Sequence, residues 1–310
     1  MAVNEIKYLD PRVVSKLKNI EVKARLIVEG FITGLHRSPY HGFSVEFAEH
    51  RPYNPGEPLR NVDWKVFGKT DRLFTKKYEE ETNLRMYILL DTSDSMRYPQ
   101  KVAVNKLEYG AYLAAALSYL MVQQRDAVGF TLFNEQIEFS VRPKAKKSWL
   151  VPIFRELEQI TQTSQHFQHK TATAEVLHQL APKLGRRGLV VLITDLFSNL
   201  SDPYDLLPAL QHLRHAKHEV LVFHILEEKT EVNFQFPNRP LIMKDLETGE
   251  EIKVHPEQIK DNYTEMLEQY REHFKRRCRE LNVDFVEVDI NTPYDKLLSD
   301  YLVKRARMTR

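Results

Sequence analysis

The chain has 310 residues, 42% of them hydrophobic and 28% charged, with a formal net charge of +2. That length can bury a substantial core, as one large domain or two smaller units, and the near-neutral balance gives no basic excess that would call for nucleic acid. The single cysteine, Cys278, excludes an intramolecular disulfide and fits a reducing cytoplasm.

Met1 to Asp10 lacks the apolar segment of a signal peptide. Tyr109 to Val122 is too short, and too interrupted by Gly110 and Ser118, to span a bilayer. The expectation is a cytoplasmic protein without an integral membrane segment. Pro11 to Val28 predicts a moderately basic helix. From Gly30 to Glu81, glycines, prolines and aromatics predict short strands and turns.

An alternation of strands and helices then begins. Met86 to Asp91 predicts a buried strand and Lys101 to Gln124 a helix rich in alanine and leucine. Ala127 to Phe133 and Ile137 to Val141 predict two strands around an Asn134-Glu135 turn. Ser148 to Thr161 predicts a helix, and a further helix opens near Thr171. Gly188 to Asp195 predicts a strand, Pro203 to His215 a helix and Glu219 to Leu226 a strand. Val232 to Val254 breaks the alternation as a hairpin insertion around Thr248-Gly249. A long helix over Pro256 to Leu281, a strand over Val283 to Val288 and a helix over Tyr294 to Arg305 close the chain.

This order predicts an α/β fold, a doubly wound and mostly parallel sheet with helices on both faces. The Ala127 to Val141 pair allows one antiparallel edge strand. The predicted boundary separates 1–83, an N-terminal helix and β-rich accessory segment, from 84–310, with the hairpin insertion near 232–254.

The chemistry concentrates at two strand ends. Asp91, Ser93 and Ser95 follow the first buried strand, and Asp195 closes a second. Carboxyl ends of strands are where open α/β sheets bind ligands. One carboxylate and two hydroxyls are hard oxygen donors suited to Mg²⁺, with Mn²⁺ as second choice. Neutral hydroxyls coordinate without cancelling the ion's charge. One position can then take a carboxylate from a partner. Thr171, between the two strands, stands where a helix N-cap would sit. Asp94 reads as a solvated turn residue.

The Asp-x-Ser-x-Ser pattern resembles the metal-ion-dependent adhesion site of von Willebrand factor A domains. That resemblance implies their fold and a metal site of Asp91, Ser93 and Ser95, then Thr171, then Asp195. Lys170 stands where that family has glycine, and Thr173 is the alternative to Thr171.

A second resemblance covers more of the chain. Pro55, Gly56, Glu57, Arg60, Asp63 and Trp64 precede the first strand, and Asp245 to Glu250 lies downstream. This combination is similar to the bacterial family named domain of unknown function 58. The resemblance implies an adaptor or cochaperone working with a MoxR-type AAA+ ATPase in protein-complex maturation. The sequence has no Gly-x-x-x-x-Gly-Lys-Ser/Thr loop, so ATP hydrolysis would belong to the partner.

Two function classes follow. The first is a non-catalytic, Mg²⁺-dependent module that grips an Asp or Glu carboxylate of a protein partner. The alternative is a phosphatase-like Mg²⁺-dependent hydrolase with Asp91 as nucleophile. Such an enzyme needs a second aspartate two positions on, where this chain has Ser93, and Ser93 has no Gly-x-Ser-x-Gly context. His212, His215 and His218 read as a solvated polar face, His166 and His169 as a polar loop, and Cys278 as a structural thiol.

Overall fold

The computed structural model describes residues 10–35, 50–52, 67–68, 71–76, 84–100, 102–162, 172–185, 187–196, 206–246 and 249–299. The chain divides into two compact units, one of Met1–Gly34 with Leu84–Arg310 and one of Leu35–Asn83. In the smaller unit, β1 (His50–Pro52) pairs antiparallel with β2 (Phe74–Lys76). Residues 55–64, which carry the Pro-Gly-acid and Asp-Trp motif, lie outside the described residues.

The N-terminal helix belongs to the larger unit, not to the accessory segment as the sequence reading has it. The predicted single helix is two pieces, α1 (Pro11–Val14) and α2 (Ile20–Leu35). Asp10 caps the first through a 2.8 Å bond from the Arg12 N–H. In α2, Ile20, Ala24, Ile27, Val28 and Phe31 recur at helical spacing and are buried. Lys23 Nζ donates to Tyr112 Oη at 2.7 Å.

The central sheet has six strands: β3 (Arg85–Asp91), β4 (Ala127–Phe133), β5 (Ile137–Lys144), β6 (Leu189–Thr194), β7 (Glu219–Leu226) and β10 (Asp284–Asp289). Their spatial order is β10-β7-β6-β3-β4-β5. Every pairing is parallel except β4 with β5, the antiparallel edge. Burial follows from this. β6 is buried at all of its positions, whereas β5 alternates between half-buried and exposed. Outside the sheet, β8 (Leu241–Lys244) and β9 (Glu251–Val254) form the antiparallel hairpin expected of the insertion.

Helices cover both faces. On one, Tyr87 and Leu89 of β3 join Val190 and Leu192 of β6 in a core shared with α5 (Thr173–Leu180), α6 (Leu206–His215) and α7 (Pro256–Glu280). On the other lies α3 (Lys106–Gln123), apolar nearly all round and buried accordingly. It comes so close that a Cβ on Gly110 would meet Ile193 at 3.0 Å and Leu90 at 3.1 Å. The helix α4 (Leu150–Gln162) packs beside α3. A last helix, α8 (294–299), stacks Tyr294 on Tyr109 of α3 with ring centroids 4.7 Å apart.

Read from the antiparallel edge, the chain runs β5-β4-β3-β6-β7-β10, the doubly wound order in which the direction of winding reverses between β3 and β6. Loops leaving two such strands diverge to opposite faces and open a crevice at their carboxyl ends. Asp91 ends β3 and Asp195 follows β6, so both sit at this switch point.

Candidate metal centre

Asp91, Ser93 and Asp195 are each buried to 1% exposure or less, and only Ser95 of the loop's two serines reaches partway to solvent. Asp91 Oδ1 accepts the Ser93 N–H at 2.9 Å, and its Oδ2 accepts the Thr194 hydroxyl at 2.7 Å. Thr194 is oriented by the residue two places on. Leu196, a buried non-glycine residue at φ 58°, turns its N–H back to Thr194 Oγ1 at 3.2 Å. A left-handed leucine is uncommon and strained, and here it aims a hydroxyl at Asp91.

A line of oxygens then crosses the crevice. Ser93 Oγ lies 3.0 Å from Ser95 Oγ, and Ser95 Oγ donates to Asp195 Oδ1 at 3.3 Å. Adjacent ligands of an octahedral Mg²⁺ with bonds of about 2.1 Å stand about 3 Å apart. The spacing and the hard, half-neutral donor set therefore suit a small divalent cation. Among the described residues no cluster of three or more His, Cys, Asp or Glu is arranged to hold a metal. Any site here depends on the hydroxyls.

Four of the five residues expected as ligands thus come together: Asp91, Ser93, Ser95 and Asp195. Thr171 lies outside the described residues. The N-cap of α5 is Ala172, without a side-chain capping bond, and not Thr171. The Ala172 N–H donates to the Asn134 carbonyl at 3.3 Å, which brings the start of α5 to the end of β4. Thr173, the alternative to Thr171, is buried, and its Oγ1 lacks a hydrogen-bond partner among the described residues. The same rim is tied together by Glu138, which accepts from Asn134 Nδ2 at 2.7 Å and lies 2.8 Å from Thr92 Oγ1.

Lys106, the first residue of α3, is 1% exposed and donates to Asp195 Oδ2 at 2.7 Å and to Glu231 Oε1 at 2.5 Å. A capping box fixes its position: Asn105 Oδ1 accepts the Glu108 N–H, and Glu108 Oε2 accepts the Asn105 N–H. Glu231 comes from the helical turn Glu228–Val232 beyond β7, and its Oε2 accepts the Glu227 N–H at 2.8 Å. Behind Asp195, His224 Nε2 lies 2.9 Å from its carbonyl oxygen.

The electrostatics differ from group to group. Burial, then the negative charge of Asp195, pushes the Asp91 carboxyl up to about 7, against the pull of its hydrogen bonds. Burial works to lower Lys106, but Asp195 and Glu231 outweigh it and keep the ammonium charged. Burial raises Glu231, opposed by Lys106. Burial drives His224 down to about 4, so its imidazole is neutral near pH 7.

Lys106, Thr194, Glu231 and His224 escape the sequence reading. One signal was present for Lys106: a cation in the first turn of a helix opposes the macrodipole and needs an acid nearby. Asp94 departs from expectation, being 2% exposed and facing Arg97 at 3.5 Å, because the short helical turn Asp94–Arg97 folds it inward. His218 is also buried, edge-on to Tyr87, while His212 and His215 are exposed. Cys278 is fully buried, and its thiol is pushed up to about 12 by burial, in keeping with a structural role.

Among the described residues no helix is long and apolar enough to cross a membrane. Of solved structures, the conserved hypothetical protein BatB from Bacteroides thetaiotaomicron is similar at 19% identity and a TM-score of 0.43, covering 72% of this chain and 99% of that one. An uncharacterized membrane spanning protein from Vibrio fischeri follows at 15% identity and a TM-score of 0.22, covering 71% of this chain and 96% of that one. Both scores are low, and the fold stands on this chain's own sheet topology. The uncharacterized proteins Mb1516 of Mycobacterium bovis and Rv1480 of Mycobacterium tuberculosis are each 22% identical over 273 residues, which is 87% of this chain and 82% of theirs. The family described as Protein of unknown function DUF58 matches residues 49–273, well over half of the sequence, and the chain belongs to that family.

Proposed function

We propose that this protein is a non-catalytic binding module of von Willebrand factor A type. In this reading a divalent cation, Mg²⁺ or Mn²⁺, sits among Asp91, Ser93, Ser95 and Asp195, with Thr171 completing the set. The observation that carries the reading is the oxygen line Ser93–Ser95–Asp195, with spacings of 3.0 and 3.3 Å at the switch point of the sheet. When bound, the ion supplies an electrophilic position open to one further oxygen. Asp91 holds the ion's side of the crevice through a carboxylate already oriented by Ser93 and Thr194. Half-exposed Ser95 marks the side from which a carboxylate of a protein partner enters.

The same residues weigh against a phosphoester hydrolase. Ser93 stands where such an enzyme needs an acid, and Asp94 faces Arg97 instead. A MoxR-type AAA+ ATPase as partner, and a part in protein-complex maturation, rest on the family resemblance. The test is capture from native extract by the intact chain with Mg²⁺ or with chelator, in wild type and Asp91→Ala. Metal-dependent recovery of an AAA+ ATPase by wild type alone is the expected result. Hydrolysis of a phosphoester in Mg²⁺ that Asp91→Asn abolishes would replace this reading with the hydrolase.

A further inference from the structure

Asp195 faces two ways. Its Oδ1 accepts from Ser95 on the hydroxyl side of the crevice, and its Oδ2 accepts from Lys106 on the other. Lysine is almost never buried to 1% exposure without acids to hold it, and among the described residues Asp195 and Glu231 both pair with Lys106. Glu231 in turn fastens the turn after β7, because its second oxygen takes the Glu227 N–H. Glu227 holds that turn from within by accepting the Lys229 and Thr230 amides. A fixed positive charge thus lies directly behind one of the oxygens that a cation at Ser93 and Ser95 would use.

We infer that Lys106 is a positioning residue that acts as a tethered counter-cation: it holds Asp195 by Oδ2, leaves only Oδ1 to the metal side, and sets the site's affinity low. The inference rests on the metal reading above. It has two consequences. Without metal Asp195 and Glu231 still have a cation, so their burial does not depend on the ion. With metal, part of the charge on Asp195 is already spent on Lys106, so a divalent ion is held loosely and the oxygen of a partner adds proportionally more.

The experiment uses the full chain and Mn²⁺ as probe. Mn²⁺ titration and thermal melting, in chelator and in Mn²⁺, are compared for wild type, Lys106→Met and Asp91→Ala. Removing a unit charge within a few ångströms of the site should tighten Mn²⁺ binding by about tenfold or more. Lys106→Met should also melt lower in chelator and regain more of its melting temperature with Mn²⁺ than wild type gains. A merely structural lysine would lower the melting temperature without tightening the titration. If Lys106→Met does not fold in chelator, Lys106→Met combined with Glu231→Gln carries the titration with a smaller tightening expected, because the two charges removed oppose each other and Lys106, bonded to Asp195, is the nearer to the metal side. Equal or weaker binding than wild type overturns the inference and leaves the metal reading intact. No binding by either natively folded chain overturns both, and unchanged binding in Asp91→Ala moves the ion elsewhere and overturns both as well.

Discussion

The two carboxylates at the switch point are buried alike but satisfied differently. Asp91 rests on neutral donors, the Ser93 amide and the Thr194 hydroxyl. Asp195 rests on an ammonium, Lys106, shared with Glu231. The neutral donors pull the Asp91 carboxyl down, but burial and the charge of Asp195 outweigh them and leave its proton affinity raised. A carboxylate with a built-in cation contributes shape and partial charge. The difference teaches that burial alone does not mark a metal ligand. Under the proposed metal reading, what the neighbouring donors leave unneutralised does.

The largest effect should come from breaking the charged side. Lys106→Met leaves Asp195 and Glu231 buried without their ammonium. The loss of a partner from a buried pair costs about 3–5 kcal/mol. Urea unfolding in chelator measures it. A loss well below that range would mean that water reaches the pair and that the two sides differ less than argued.

The neutral side should reveal itself through pH. The folded-state pKa of Asp91 is about 7, above its ordinary value of 3.8. The folded protein therefore binds the extra proton between those values, and this group's contribution to stability, full at low pH, is lost as pH rises through about 7. His224 has the opposite sign. Its folded value of about 4 lies below 6.5, so its contribution is lost as pH falls. The difference between wild type and Asp91→Asn isolates the first group. In chelator, wild type should lose stability relative to Asp91→Asn as pH climbs from about 4 to 7. Parallel profiles would contradict the assignment.

Two smaller changes sharpen the comparison. Asn105→Ala removes the cap that fixes Lys106 and should cost about 1 kcal/mol in denaturant unfolding. Ser95→Ala, at the half-exposed mouth of the site, should cost less than about 1 kcal/mol yet weaken Mn²⁺ binding clearly. A hydroxyl that mattered only for stability would show the reverse.

The sheet was legible because β3, β4, β6 and β7 are short and mostly apolar runs, and runs of that kind fill the interior of a parallel sheet. The antiparallel edge and the hairpin were legible from alternation and turn residues. The start of α3 was read too early, over apolar Val102 and Val104, although Asn105 and Glu108 spell a capping box. Lys106 and Glu231 were not legible as site residues because Lys106 lies 89 residues from Asp195 and 125 from Glu231. Local patterns carry no such pairing: a lysine at a helix start signals that an acid is needed nearby, not which one. His218 was missed for the same reason, since its burial against Tyr87 is tertiary, whereas Asp94 was missed because the short helical turn Asp94–Arg97 was not anticipated.

Whether the crevice binds a cation at all is decided by Mn²⁺ titration of the intact protein against Asp91→Ala, both chains shown to be folded by circular dichroism. Wild type should bind saturably at one site, and the variant should lose that binding. Identical isotherms for the two chains would contradict the metal reading.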